Sequence, residues 1–286
     1  MTGHVSAPRP RAAAGRTKPG ADARKHNIGI PLPDRHSRRT VIVPVLRFTA
    51  TAITPLLLWQ ALVWMTALPP FILPGPARVA QALADHAPML AENARFTAAN
   101  LLTGLTAGIA LGVLTALNLA ASPLARGLMR PMLVAAQAVP VFALAPIVTL
   151  WLGYGAASKI VMVVLVVHFP VASVLFDALM RLPQPLEDLL HSLRATPMRA
   201  LLLVRLPHAL PALGSGLRLA AVHAPFAVIV GEWVGSSRGL GHVMLMANGR
   251  GQTDLMFAAL ALLAAMGATL FALADLLQRR TEKGRP

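Results

Sequence analysis

Two neighbouring residues near the end of a long apolar run, Glu232 and Trp233, are the pair in this chain best suited to chemistry with a solute. A carboxylate accepts hydrogen bonds from an exocyclic amine, and an indole stacks on a flat ring. An ionisable group inside an apolar run is costly to bury and is a functional candidate for that reason. The competing reading pairs Glu232 with an arginine such as Arg250, or has it stabilise the loop that follows. Gln137 and Asn118 place further hydrogen-bonding groups in apolar runs, where each faces a solute or binds a neighbouring helix. Gln137, Glu232 and Trp233 are thus the candidate residues for contact with a small polar ligand.

Several other chemistries are excluded. The 286 residues include no cysteine, so thiolate and disulfide chemistry is absent. The nine histidines show no metal-ligand spacing, and His168 and His223 stand alone in apolar runs as packed, hydrogen-bonded side chains. No phosphate loop of the Gly-x-x-x-x-Gly-Lys-Ser/Thr type occurs, so the chain carries no ATP-driven motor of that kind. His-Glu-x-x-His and Gly-x-Ser-x-Gly are missing too, and we expect no catalytic residue, metal or cofactor. Gly235 to Gly241 lacks the strand-then-helix context of a dinucleotide fold and reads as a tight turn. Met244, Met246 and Met256 read as adaptable packing.

These candidates must be positioned by membrane-spanning helices. The chain is 56% hydrophobic and 13% charged, with a mean hydropathy of +0.62, a combination soluble domains rarely show. Six apolar stretches near 41–66, 96–121, 131–152, 158–180, 209–234 and 253–277 are each long enough to cross a bilayer, which needs roughly 20 helical residues. Pro55, Pro140, Pro146, Pro170 and Pro225 lie within them and predict kinks, which a bundle tolerates. The expectation is an all-α, polytopic membrane protein with six spans.

The net charge of +15 does not imply nucleic acid. Nine of the 26 Lys and Arg fall in residues 1–40 and four more in the last eight, while the few aromatics sit in apolar runs. Residues 1–40 read as a disordered basic tail, 41–280 as the membrane domain, and 281–286 as a second short tail. Ser37-Arg38-Arg39-Thr40 resembles a twin-arginine export signal, but the run after it is too long and lacks a small-x-small cleavage site. A positive anchor for the first span is the preferred reading. With both termini cytoplasmic, 20 Lys and Arg face inward and five outward, in keeping with the positive-inside rule. Arg218 lies within the fifth span; it either neutralises a carboxylate across helices or snorkels to the interface, the preferred reading.

Between the fourth and fifth spans lies a polar island from Leu186 to Pro207. Thr196-Pro197 is a cap followed by a helix-starting proline, predicting one short helix over 186–195 and a second over 197–206. Leu186, Leu189, Leu190 and Leu193 share one face of the first. Glu187, Asp188, Arg194, Arg199 and Arg205 remain for a polar partner.

This island resembles the cytoplasmic loop of permease subunits of bacterial ABC importers, whose pattern is Glu-Ala-Ala, three residues, Gly, nine residues, Ile, one residue, Leu-Pro. Here the register gives Asp188-Leu189-Leu190, then Arg194 in place of the glycine, then Val204-Arg205-Leu206-Pro207. Gln137 to Pro146, Trp151 to Gly155, Gly216 to Ala220 and Gly231 to Gly241 are similar to the nitrate, taurine and aliphatic-sulfonate permease group. Gly231-Glu-Trp followed by Met244 to Met256 is most similar to permeases for hydroxymethylpyrimidine, a thiamine precursor. The resemblance implies a cytoplasmic ATPase dimer that docks on Glu187, Asp188, Arg194, Ala195, Thr196, Pro197, Arg199, Leu206 and Pro207. It further implies a second permease subunit forming a homodimer, a periplasmic solute-binding protein, and a multi-pass place in the inner membrane. The implied solute is hydroxymethylpyrimidine or formylaminopyrimidine, with sulfonate, taurine or nitrate as the alternative. A self-contained secondary transporter is the rival from another class.

Overall fold

In the computed structural model the backbone is described from Arg39 to Lys283 and side chains from Ile53 to Arg280, apart from Ala136 and Gln137. Contacts divide the chain into Met1–Ala52 and Ile53–Pro286. Of the first unit only the opening turns of a helix are described, so the expectations for the basic tail and the twin-arginine stretch before Arg39 lie outside the described residues.

The described residues are helical, with no strand. The helices are α1 (Arg39–Thr66), α2 (Pro76–Asp85), α3 (Ala87–Ala121), α4 (Pro123–Gln137), α5 (Val141–Leu152), α6 (Ala156–Met180) and α7 (Gln184–Ser192). Then come α8 (Pro197–Ala200), a π turn (Leu201–Arg205), α9 (Leu206–Trp233), α10 (Leu240–Gly249) and α11 (Thr253–Lys283). Within the second unit α6 is central, packed by α3 and by α9, and α11 packs on α9.

The α3–α6 contact follows from residue size. Gly104, Gly108 and Gly112 recur every four residues and share one face of α3. Val163, Val167 and Val171 recur at the same spacing on α6 and are fully buried. A Cβ on any of the three glycines would come within 3.0 Å of the facing valine. Without a hydrophobic force between helices in lipid, such close backbone approach is what holds them together. The sequence reading had not singled out this stripe.

By length and composition, Ala87–Ala121, Ala156–Met180, Pro197–Trp233 and Thr253–Arg280 can cross a membrane, and Ile53–Thr66 and Val141–Leu152 are shorter apolar helices. The expected third span, 131–152, is a correction: it is two helices broken at Ala138–Pro140. Pro140 supplies no N–H and drives Val139 out of the helical region, and Pro140 becomes the N-cap of α5. The second helix of the island is likewise not separate. From Pro197 it runs through the π turn into α9 and on to Trp233. The wider turn at Leu201–Arg205 comes just before Pro207 and accommodates its missing donor and its ring. Of the two readings of Arg218, the structure shows a carboxylate across helices: Arg218 Nη1 donates to Asp275 Oδ1 on α11 at 3.0 Å, and Arg279 Nε donates to Oδ2 at 2.7 Å.

Candidate functional site

The functional residues gather at two opposite ends of α9. At its C-terminal end the helix separates the pair that the sequence set side by side, because consecutive residues point about 100° apart. Glu232 is fully buried, whereas Trp233 is 41% exposed. Glu232 Oε1 accepts from Thr97 Oγ1 at 2.8 Å, and Oε2 accepts from the backbone N–H of Gly241 at 2.7 Å. Both oxygens are thus used within the chain, and no ion pair with Arg250 forms. With its side chain fully buried, the Glu232 carboxylate is spent on contacts within the chain in this conformation.

Its work is to cap a helix. The first N–H groups of α10 have no partner inside their own helix. Gly239 N–H donates to Asn93 Oδ1 at 2.7 Å and Leu240 N–H to Thr97 Oγ1 at 2.8 Å; with Gly241 on Glu232, three successive donors end on side chains of α3 and α9. Asn93 and Thr97 lie four residues apart and share a face of α3. A carboxylate at a helix N-terminus is also favoured by the helix dipole. Gly239 sits at φ 109°, open to glycine alone at little cost, and a Cβ there would strike the Glu232 carboxyl.

Lys159, at the start of α6, completes this end. It is fully buried, and Nζ donates to the carbonyls of Gly235 at 2.6 Å and Tyr154 at 2.8 Å and to Ser158 Oγ at 3.3 Å. The loop expected as a tight turn is one, tied down from α3, α6 and α9. Lys159, Thr97 and Asn93 were missed by sequence reasoning. A lysine inside an apolar run was the available signal, but it had been counted only as an outward charge.

The other end is built differently. No residue of α7 is buried. Leu189, Leu193 and Met198 are exposed, as are Asp188, Arg194, Thr196, Pro197 and Arg199; Glu187, Ala195 and Leu206 are half-buried. Pro207 is exposed, and Arg205 carries a buried Nε with no partner among the described residues. Thr196 is the N-cap of α8 with Pro197 at N1, as read from sequence, though its side chain makes no capping bond.

Arg194 is the informative departure. The N–H of Ala195 donates to Leu190 O and that of Arg194 to His191 O, each at 3.0 Å. These two bonds close α7 in a Schellman motif and put Arg194 at the position that wants a left-handed backbone. Its φ is +47°, so the residue standing where the loop pattern has glycine holds a glycine-like conformation.

A third set of polar residues lies between the two ends. His168 Nε2 is hydrogen-bonded to Thr115 Oγ1 at 3.0 Å, as expected for a packed histidine. His223 differs from expectation: it is exposed and has no hydrogen-bond partner among the described residues. No group of His, Asp and Glu able to hold a metal ion occurs among the described residues.

The family model described as the inner membrane component of binding-protein-dependent transport systems matches residues 108–284, more than half of the chain. The chain belongs to that family. A probable ABC transporter permease of Haemophilus influenzae is 45% identical over 225 residues, covering 79% of this chain and 92% of that protein. A riboflavin transport permease of Chloroflexus aurantiacus is 35% identical over 82% of this chain and 89% of its own length. A formylaminopyrimidine transport permease of Halalkalibacterium halodurans is 33% identical over 71% and 82%. A chain of the inward-facing MetNI methionine ABC transporter shares the fold, with a TM-score of 0.59 and 22% identity, over 69% of this chain and 98% of that one.

This protein is therefore an all-α permease subunit of an ABC importer and a multi-pass protein of the inner membrane. Within the permease, the loop motif of the sequence coincides with α7, no residue of which is buried.

Proposed function

We propose that this permease imports a pyrimidine precursor of thiamine, hydroxymethylpyrimidine or formylaminopyrimidine, handed over by a periplasmic binding protein. An ATPase dimer drives it by seating on α7 and α8, and a second copy of the chain completes the pathway. Both termini and the α7 end face the cytoplasm; the Glu232 end faces the periplasm. Trp233 borders the pathway, and Glu232 acts by holding the α10 loop rather than by touching solute; Gln137, the third pathway candidate, has its side chain outside the described residues. The membrane domain is 41–280, with the coupling loop at about 184–208.

The carrying observation is α7. A helix with no buried residue, bearing the exposed Leu189 and followed by the exposed Leu193 and Met198, is a surface that another protein completes. Exposed leucines interleaved with Asp188, Arg194 and Arg199 have the apolar-centre, polar-rim composition of a protein interface. A self-contained secondary transporter has no use for such a surface. The solute assignment is supported by the formylaminopyrimidine relative. A second reading, riboflavin, is favoured by the relative from Chloroflexus. Both solutes carry a flat nitrogen heterocycle.

Growth tests the assignment. The complete importer should let a thiamine auxotroph grow on limiting hydroxymethylpyrimidine or its formylamino derivative. Rescue of a riboflavin auxotroph instead would move the solute to the flavin, and uptake of taurine or another sulfonate without either rescue would overturn the heterocycle reading.

A further inference from the structure

A cleft of about 500 Å3 opens between α4, α5, α6 and α9, within the roughly 300–1,000 Å3 range of small-molecule sites. Its polar lining is His168, Ser173 and His223, and the remainder is aliphatic or aromatic. His168 stands 12 residues into the 25-residue α6, and His223 stands 17 residues past the start of the 28-residue α9. Both are therefore near mid-depth of their spans, where an unpaired polar side chain is expensive unless something meets it. Ser173 and His223 have no hydrogen-bond partner among the described residues.

The cleft is continued toward Trp233 by an aromatic stripe. Leu219, His223, Phe226 and Trp233 fall on one face of α9 at spacings of four, three and seven. Phe142 of α5 meets Phe226 edge-on at a centroid distance of 5.4 Å and lies 6.5 Å from Trp233. Flat rings stack on such side chains, and a neutral imidazole both donates and accepts hydrogen bonds. Among the described residues, no Asp, Glu, Lys or Arg lines the cleft. A sulfonate or nitrate carried there would find no cation, whereas an uncharged ring with amino and hydroxyl groups would find stacking and three hydrogen-bonding side chains.

We propose that this cleft is a way station for the transported solute, taking an uncharged, planar nitrogen heterocycle, with His223 and Ser173 as its hydrogen-bonding contacts. The inference deepens the proposed function and rests on it.

The absence of cysteine makes the test direct. In the complete importer, Ser173→Cys introduces the permease's only thiol. Hydroxymethylpyrimidine should slow its alkylation by N-ethylmaleimide during turnover, and taurine should not. Separately, His223→Leu should lower uptake at limiting pyrimidine about tenfold, the scale of one lost hydrogen bond, while His223→Gln stays within about twofold of wild type. ATP hydrolysis stimulated by the loaded binding protein should persist in both. Unchanged alkylation, or equal uptake by the leucine and glutamine variants, in an importer whose wild type carries the pyrimidine overturns the way station and leaves the proposed function standing. A wild type that carries only sulfonates overturns both.

Discussion

The two ends of α9 solve opposite problems with the same kinds of residue. At the Glu232 end, charged side chains are sunk into the bundle, and those that hold the α10 loop are matched: Glu232 to Thr97 and Gly241, Lys159 to Tyr154 and Gly235, with Asn93 on Gly239. At the α7 end Asp188, Arg194 and Arg199 stand in the open, apolar side chains stand beside them, and Arg194 holds a left-handed turn. One end is finished by the chain itself; the other is left for a partner. Burial distinguishes them, since both ends draw on acids, arginines and leucines.

The contrast can be broken most severely in the middle, where both ends hang on the α3–α6 contact. Gly108→Leu forces a side chain into Val167 and should cost about 3 kcal/mol or more. The expected outcome is loss of folded protein from membranes, read by size-exclusion of the detergent extract.

Next in size, Glu232→Ala strands the Gly241 N–H and the Thr97 hydroxyl in a buried site. It should lower stability by about 2–3 kcal/mol, read as a fall in melting temperature of the purified protein. Lys159→Met, which orphans two carbonyls, should fall in the same range. Glu232→Gln should cost less, because an amide oxygen still accepts from one donor. If Glu232→Ala left stability intact and abolished only solute uptake, the capping role would be wrong and solute contact would return.

At the α7 end, charge and backbone changes should spare stability and strike coupling. Glu187→Arg, or deletion of residues 194–199, should abolish uptake while the protein still inserts in the membrane. A reporter active only in the cytoplasm, fused after Pro185, should be active, and one fused after Ser237 silent; the reverse would invert the assignment of the two ends.

The smallest effect sharpens the comparison. Arg194→Gly relieves a left-handed residue and should stabilise by about 1 kcal/mol, whereas Arg194→Val should cost a similar amount. Neither shift would appear at an ordinary exposed helical arginine.

How much of this could be read from the chain depends on the range of the interaction. Helices were legible because long apolar runs have no other way to satisfy their backbone in lipid, and the Thr196-Pro197 turn because its signal is contained in two residues. The break at Ala138–Pro140 was read as a kink because proline marks the place and not the angle. The fate of Glu232 was not legible: its partners lie on α3, 135 residues earlier in the chain, and on α10. The partner of Arg218 on α11 was hidden for the same reason. The glycine stripe was present in plain spacing, and only its match to Val163, Val167 and Val171 gives it meaning.

The most direct measurement uses the absence of cysteine once more. A photo-crosslinker on a single thiol at Leu193→Cys or Met198→Cys, in the complete importer, should capture the ATPase subunit. The same probe at Trp233→Cys should not capture it. Capture from Trp233→Cys, or none from either α7-end position in an importer that still transports, would contradict the assignment of that end as the surface the partner completes.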